Sequence, residues 1–267
     1  MPNLVNITKS NNLLPFLHYF DSQGMPWKEV AEQHHFPDDI LKGEYWLPAH
    51  QVMSFLSTMM RTAKQNIGLN VGRLITVDQI SPDLALEMRQ SQNLEQAIHR
   101  LIELIPTLSN HIVIWPEKIA GKWFLCHRGA YHPSMAGYDL AEWFRTFALL
   151  SLCRLFLGEK WQPSSVYMSF SRHLATNLPA SFAATRFLYG QSFAGLEIPL
   201  MDDFEPVAMN EIAGNWYSAM QALINTYAIL PWFNLDWLAH FASSSARTLQ
   251  RRFTQQGTSF RQLRDHA

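Results

Sequence analysis

Apolar residues recur at three- and four-residue spacing through Val52, Phe55, Leu56, Met59, Met60 and Ala63, with Pro48 near the start. This period predicts one amphipathic helix that ends before Gly68. Leu13 to Phe20 and Trp27 to Ala31 predict two shorter helices, split by Gly24, Met25 and Pro26. The first seventy residues are therefore expected to be helical. Leu94, Ala97, Ile98, Leu101, Ile102 and Ile105 predict another helix, stopped by Pro106.

The period then changes. His111 to Trp115 and Lys122 to Cys126 are β-branched and aromatic around a turn from Pro116 to Gly121, the pattern of a β-hairpin. Asp139, three residues before Glu142, opens a run whose Leu140, Trp143, Phe144, Phe147 and Leu150 predict a capped, buried helix closed by Gly158. Val166 to Phe170, Ala184 to Leu188 and Ser192 to Ile198 predict strands. Helices and antiparallel strands in this order predict an α+β domain. Pro199 to Pro206 is polar and proline-bounded, so we divide the chain into an α+β domain over 1–205 and an all-helical segment over 206–267.

Composition sharpens this picture. The 267 residues are 48% hydrophobic and only 16% charged, with nine Trp and seventeen Phe, so much aromatic surface must be buried and disorder is excluded. The formal net charge is -1, yet the sum hides an asymmetry: Arg247, Arg251, Arg252, Arg261 and Arg264 fall in the last twenty-one residues. A basic C-terminal island points to a polyanionic partner. The two cysteines lie in apolar contexts, and no basic start with an apolar run opens the chain, which together predict a cytoplasmic protein. The most apolar stretch, Phe147 to Leu157, is too short to span a bilayer and contains Arg154.

In the basic island, Leu235 to Ala242 predicts a short helix with the small Ala239 where a second helix must pack closely. Ser243 to Ser245 break it, and Ser245 can cap a second helix over Ala246 to Gln256 that turns Leu249 and Phe253 inward. Two short helices joined by a tight turn, the second rich in Arg and Gln, predict a helix-turn-helix, since Arg pairs with guanine and Gln with adenine in the major groove. Gly257 ends the second helix, and Thr258 or Ser259 can cap a third from Phe260.

The run Ser245-Ala-Arg-Thr-Leu-Gln-Arg-Arg-Phe253, followed by Gly257-Thr-Ser-Phe260 and preceded by Ala239, resembles the first helix-turn-helix of AraC/XylS-type transcription regulators. Upstream, Leu69-Asn-Val-Gly72, the helix from Leu94 and the segment Phe187 to Phe204 resemble the arabinose-binding type of effector domain in that family. The resemblance implies a sequence-specific DNA-binding regulator that responds to a small-molecule effector, binds promoter DNA as a homodimer and contacts RNA polymerase. It places Arg247, Gln250 and Arg251 at base edges, and Thr248, Arg252, Thr258 and Ser259 at phosphates. It also implies an effector pocket, for which Trp115, Trp123, Phe124, Arg128, Tyr131, Trp143 and Arg145 are candidate lining residues. An apolar cavity holding one Arg suits a hydrophobic acid better than a sugar.

The sequence departs from that pattern in two places. The turn Gly of the family is Ser243, so a positive φ there would strain the turn. Members of the family carry a second helix-turn-helix, whereas this sequence stops at Ala267 in the connecting helix, so it reads as a form truncated after the first of two units. That leaves a binding protein without effective DNA affinity as a rival reading. An enzyme fused to a reader is a weaker one: Gly190-Gln-Ser192-Phe-Ala-Gly195 misses nucleophile-elbow spacing by one residue, and Cys126, His127 and His132 lack the second pair of a metal site. The expectation is a regulator that is not an enzyme, with no metal and no cofactor.

Overall fold

The computed structural model describes residues 5–63, 66–174, 178, 180–206 and 216–267. The aromatic hairpin forms as expected, with β3 (Ile112–Ile119) and β4 (Lys122–Gly129) paired from Ile112 against Gly129 to Ile119 against Lys122. They belong to a five-stranded sheet that also holds β5 (Ser165–Tyr167), β6 (Arg186–Leu188) and β7 (Ala194–Ile198), in the order β3-β4-β7-β5-β6. Its pairs are antiparallel except β5 with β6, which run parallel, a departure from the all-antiparallel expectation.

Helix α8 (Tyr138–Leu157) lies on one face of this sheet. Its buried residues cover most of the circumference, leaving one stripe of half-buried Ala141, Arg145, Ala148 and Ser151 that ends at exposed Leu155. The expected N-cap at Asp139 is not formed. The helix begins at Tyr138 with Gly137 at the cap in the left-handed region, φ 83°, and Asp139 is buried in the first turn. The Glu142 carboxylate instead accepts hydrogen bonds from the backbone N–H of Ser169 at 2.7 Å and from its hydroxyl.

The amino-terminal helices are α1 (Leu14–Ser22), α2 (Trp27–Gln33), α3 (Ala49–Ala63), α4 (Ile67–Gly72), α5 (Val77–Ile80), α6 (Pro82–Gln90) and α7 (Leu94–Leu104), of which α3, α4 and α5 pack most closely on α8. Helix α4 crosses α8 so closely that a Cβ on Gly68 would stand 2.6 Å from the Leu140 Cα. The segment is not wholly helical, because two three-residue strands, β1 (Ile7–Lys9) and β2 (Trp46–Pro48), pair antiparallel as a separate ribbon.

After the loop at 199–206 come α9 (Trp216–Tyr227), α10 (Leu235–Phe241), α11 (Ala246–Gln255) and α12 (Phe260–Asp265). Fully buried Tyr227 packs among Trp232, Phe233 and Trp237. On the other side α9 meets strand β2 of the ribbon, where the Trp46 N–H donates to Thr226 Oγ1 at 3.0 Å. No helix among the described residues is long and apolar enough to cross a membrane.

Candidate functional site

Between α8 and the hairpin face of the sheet lie two adjoining cavities of about 60 and 70 Å³ that share Asn12, Ile112, Phe144 and Arg145 in their walls. The first is walled almost entirely by aliphatic side chains, among them Val77, Ile80, Leu84, Leu101, Leu149 and Leu152. Its polar wall groups come only from Asn12, Ser109, His127 and Arg145. The second carries more polar atoms, with Thr8, His111, Tyr131 and Tyr138 beside Phe16, Val52 and Met53.

The guanidinium of Arg145 is the charge common to both. Its Nε donates to His127 Nδ1 at 3.5 Å, and the group stands 5.7 Å from the Tyr138 ring centre. Its buried Nη2 has no hydrogen-bond partner, and Arg145 joins no ion pair among the described residues. The network fixes the tautomer of His127: Thr146 Oγ1 donates to the Glu142 carbonyl at 2.9 Å, so His127 Nε2 must donate to Thr146 Oγ1 at 3.0 Å, leaving Nδ1 to accept from Arg145. His127 is therefore neutral, and burial followed by the nearby Arg145 charge holds its pKa well below the usual histidine range. His111 is buried too, its Nδ1 has no hydrogen-bond partner among the described residues, and burial followed by Arg145 lowers its pKa to about 3.

Of the seven effector-site candidates, Tyr131 and Arg145 line these cavities and the other five stand elsewhere. Successive strand residues face opposite ways, so Trp115, Phe124 and Arg128 lie on the sheet face away from Ile114 and His127. There Phe124 stacks on Tyr167 at 4.6 Å, Trp115 meets Phe193 at 5.3 Å and Arg128 is exposed. Trp123 packs against Phe204 and donates its Nε1–H to the Met201 carbonyl. Trp143 is two residues from Arg145, about 200° round the helix, and is fully buried between Phe147 and Phe170. The sequence reading missed the aliphatic wall, whose residues look like ordinary core. The readable signals were Arg145 amid the apolar residues of α8 and the single His in β4.

The second candidate surface is the outer face of α11. Ser245 caps the helix, its hydroxyl accepting the Thr248 N–H at 3.2 Å. Arg247, Gln250 and Arg251 are exposed and share a shallow open groove with Thr248, Ala246 and Thr254. Leu249 and Phe253 are fully buried, fixing the orientation of that face. Ser244 N–H bonds the Ala239 carbonyl at 3.0 Å in the turn between α10 and α11, and Ser243 takes φ 45°. Arg252 is placed differently from its three neighbours. Its guanidinium stands 5.3 Å from the Trp216 ring centre and Nη1 is buried, so it faces α9 rather than outward. Ser259 caps α12, accepting the Gln262 N–H, and Thr258 is half-buried beside it.

Among the described residues no cluster of metal-ligating side chains occurs. Cys126 and His127 point to opposite sheet faces, and His132 is turned to Ser134 at 2.7 Å.

The site is thus an apolar cavity backed by the sheet, with the half-buried Arg145 as its charged wall group. The model of the arabinose-binding domain of AraC transcription regulators, N-terminal, matches residues 24–202, and the chain belongs to this family of transcription regulators. The transcriptional regulator CdpR from Pseudomonas aeruginosa is a solved structure similar to it, with 14% identity and a TM-score of 0.43 over 93% of this chain and 80% of that one. No curated protein matches the chain.

Proposed function

We propose that the chain is an effector-responsive, sequence-specific DNA-binding regulator, with residues 1–205 as sensor and dimerisation domain and residues 206–267 carrying a helix-turn-helix reader. The observation that carries this reading is the exposed Arg247, Gln250 and Arg251 set on one face of a helix anchored by Leu249 and Phe253. An α-helix fits the major groove, where such side chains pair with guanine and adenine edges. Thr248, Thr258 and Ser259 are then the candidates for phosphates. Effector binding would alter the relation of sensor to reader, and so promoter occupancy or contact with RNA polymerase.

The test is selection of duplexes from a random library, followed by titration of a selected and a scrambled duplex at two salt concentrations. Specific binding with a salt-dependent affinity is expected. Equal affinity for both duplexes rejects the reading.

A further inference from the structure

We propose that the cavity pair around Arg145 binds a monocarboxylic acid with a hydrocarbon tail, its carboxylate on the Arg145 guanidinium and its tail in the aliphatic lobe. The inference rests on the reading of residues 1–205 as a sensor and names the chemical class that the sensor takes.

Five observations converge on it. A guanidinium nitrogen buried without a partner is costly, and the half-buried Arg145 has an orphan buried Nη2 and no ion pair among the described residues. His127, which accepts from Arg145 Nε, is neutral and supplies no counter-charge. The nearby carboxylate on α8, Glu142, is already committed to Ser169. Arg145 therefore has no counter-charge among the described residues, and a ligand carboxylate matches its planar fork with two parallel hydrogen bonds.

The second orphan, His111 Nδ1, lies in the wall of the more polar lobe, which Arg145 also lines. The polar end of a ligand placed there meets Arg145, His111 and Tyr131 together. The other lobe rejects a polar tail. Val77, Ile80, Leu84, Leu101, Leu149 and Leu152 offer no hydrogen bond, and each sugar hydroxyl buried against them would go unpaired. An alkyl tail loses nothing there and gains the burial of its apolar surface. A neutral alcohol of equal length fills the same lobe and leaves the guanidinium uncompensated. An alkylamine adds a like charge beside it. Charge at the head and hydrocarbon in the tail are both required.

The full chain should be titrated calorimetrically and by thermal melting with hexanoate, octanoate and decanoate, with 1-octanol, octylamine and L-arabinose as controls. At least one acid should bind tenfold or more tightly than 1-octanol and raise the melting temperature, with octylamine and arabinose silent. Arg145→Met should abolish the preference, bringing octanoate down to the level of octanol. Equal binding of octanoate and octanol to the native chain overturns the proposal without reference to any variant, as does an acid preference that survives in folded Arg145→Met. Arabinose binding in competition with octanoate also overturns it. The duplex titrations keep the two readings apart. Specific DNA binding without acid binding rejects the ligand class alone, and acid binding without DNA binding rejects the regulator and leaves the ligand class standing.

Discussion

The Tyr227 hydroxyl and Gln51 Oε1 stand 3.4 Å apart, joining α9 to α3 across 176 positions of sequence. Gln51 also donates its Nε2–H to the His34 carbonyl, so its amide is held from two sides. The other face of α3 supplies Ala49, Val52, Met53 and Leu56 to the wall of the polar lobe. A ligand that moves α3 thus acts on a helix in direct contact with the segment leading to α10 and α11. That contact is the physical link by which occupancy could bias the position of the reader.

Tyr227→Phe should therefore weaken the effect of octanoate on DNA affinity while costing about 1 kcal/mol of stability or less, because the bond is long. Tyr227→Ala, which empties the space between Trp232, Phe233 and Trp237, should cost about 3–5 kcal/mol. Urea denaturation gives the stabilities, and duplex titration with and without octanoate gives the coupling. An unchanged octanoate response in Tyr227→Phe would remove Gln51 and Tyr227 from the route.

Acid should destabilise the protein through its buried histidines. The unfolded chain takes up protons near the ordinary histidine value of about 6.5, whereas burial, reinforced by Arg145, holds His111 to about 3 in the fold. The unfolded state binds more protons between these values, so stability is fully present above pH 6.5 and falls as pH drops through that window. At pH 5 His111 alone should cost about 2 kcal/mol. His127, also lowered, adds in the same direction, while Asp139, raised by burial, opposes it. Melting temperatures at pH 7.5 and pH 5 should show a smaller acid loss in His111→Gln than in the native chain. Identical losses would mean that other groups control the acid response.

Long elements were legible because their period is strong: α3, α7, α8 and the β3–β4 hairpin all sit close to where apolar spacing puts them. The ribbon of β1 and β2 was not, since three residues are too few to display an alternation and Pro48 ends one of them. The parallel pairing of β5 with β6 escaped because the residues between them contain no helical period. At the cavity, charge was legible and shape was not. Arg145 is conspicuous inside the apolar run of α8, but nothing in the spacing of Leu84, Leu101 or Leu152 distinguishes a cavity wall from a filled core. Trp143 and Arg145 share a helix and face opposite ways, a consequence of 3.6-residue periodicity that composition alone conceals.

The contact of α4 with α8 carries its own test. A Cβ at position 68 meets the Leu140 Cα at 2.6 Å and its carbonyl oxygen at 2.7 Å. Those atoms are backbone, so they cannot swing away as a side chain would. Gly68→Ala should gain up to about 1 kcal/mol in helix propensity and lose about 3 kcal/mol to overpacking against backbone atoms, a net destabilisation. Because α8 carries Arg145, octanoate affinity should fall with it. A Gly68→Ala protein as stable as the native chain in urea would show that α4 sits farther from α8.

Arg251 and Arg252 are adjacent in sequence and should fail in different ways. Arg251 is exposed in the groove of α11, whereas Arg252 lies three residues after buried Leu249, on the flank of the inward stripe, with its guanidinium over Trp216. Arg251→Ala should leave stability within about 0.5 kcal/mol and cost about 1–3 kcal/mol on a selected duplex, with much less lost on a scrambled one. Arg252→Ala should cost about 1 kcal/mol of stability through the lost stacking and packed stem. Its DNA binding should weaken equally on both duplexes, through a loosened α11 rather than a lost phosphate contact, so the slope of affinity against salt should stay unchanged. A salt slope reduced by about one in Arg252→Ala, with native stability, would return that side chain to the phosphate backbone.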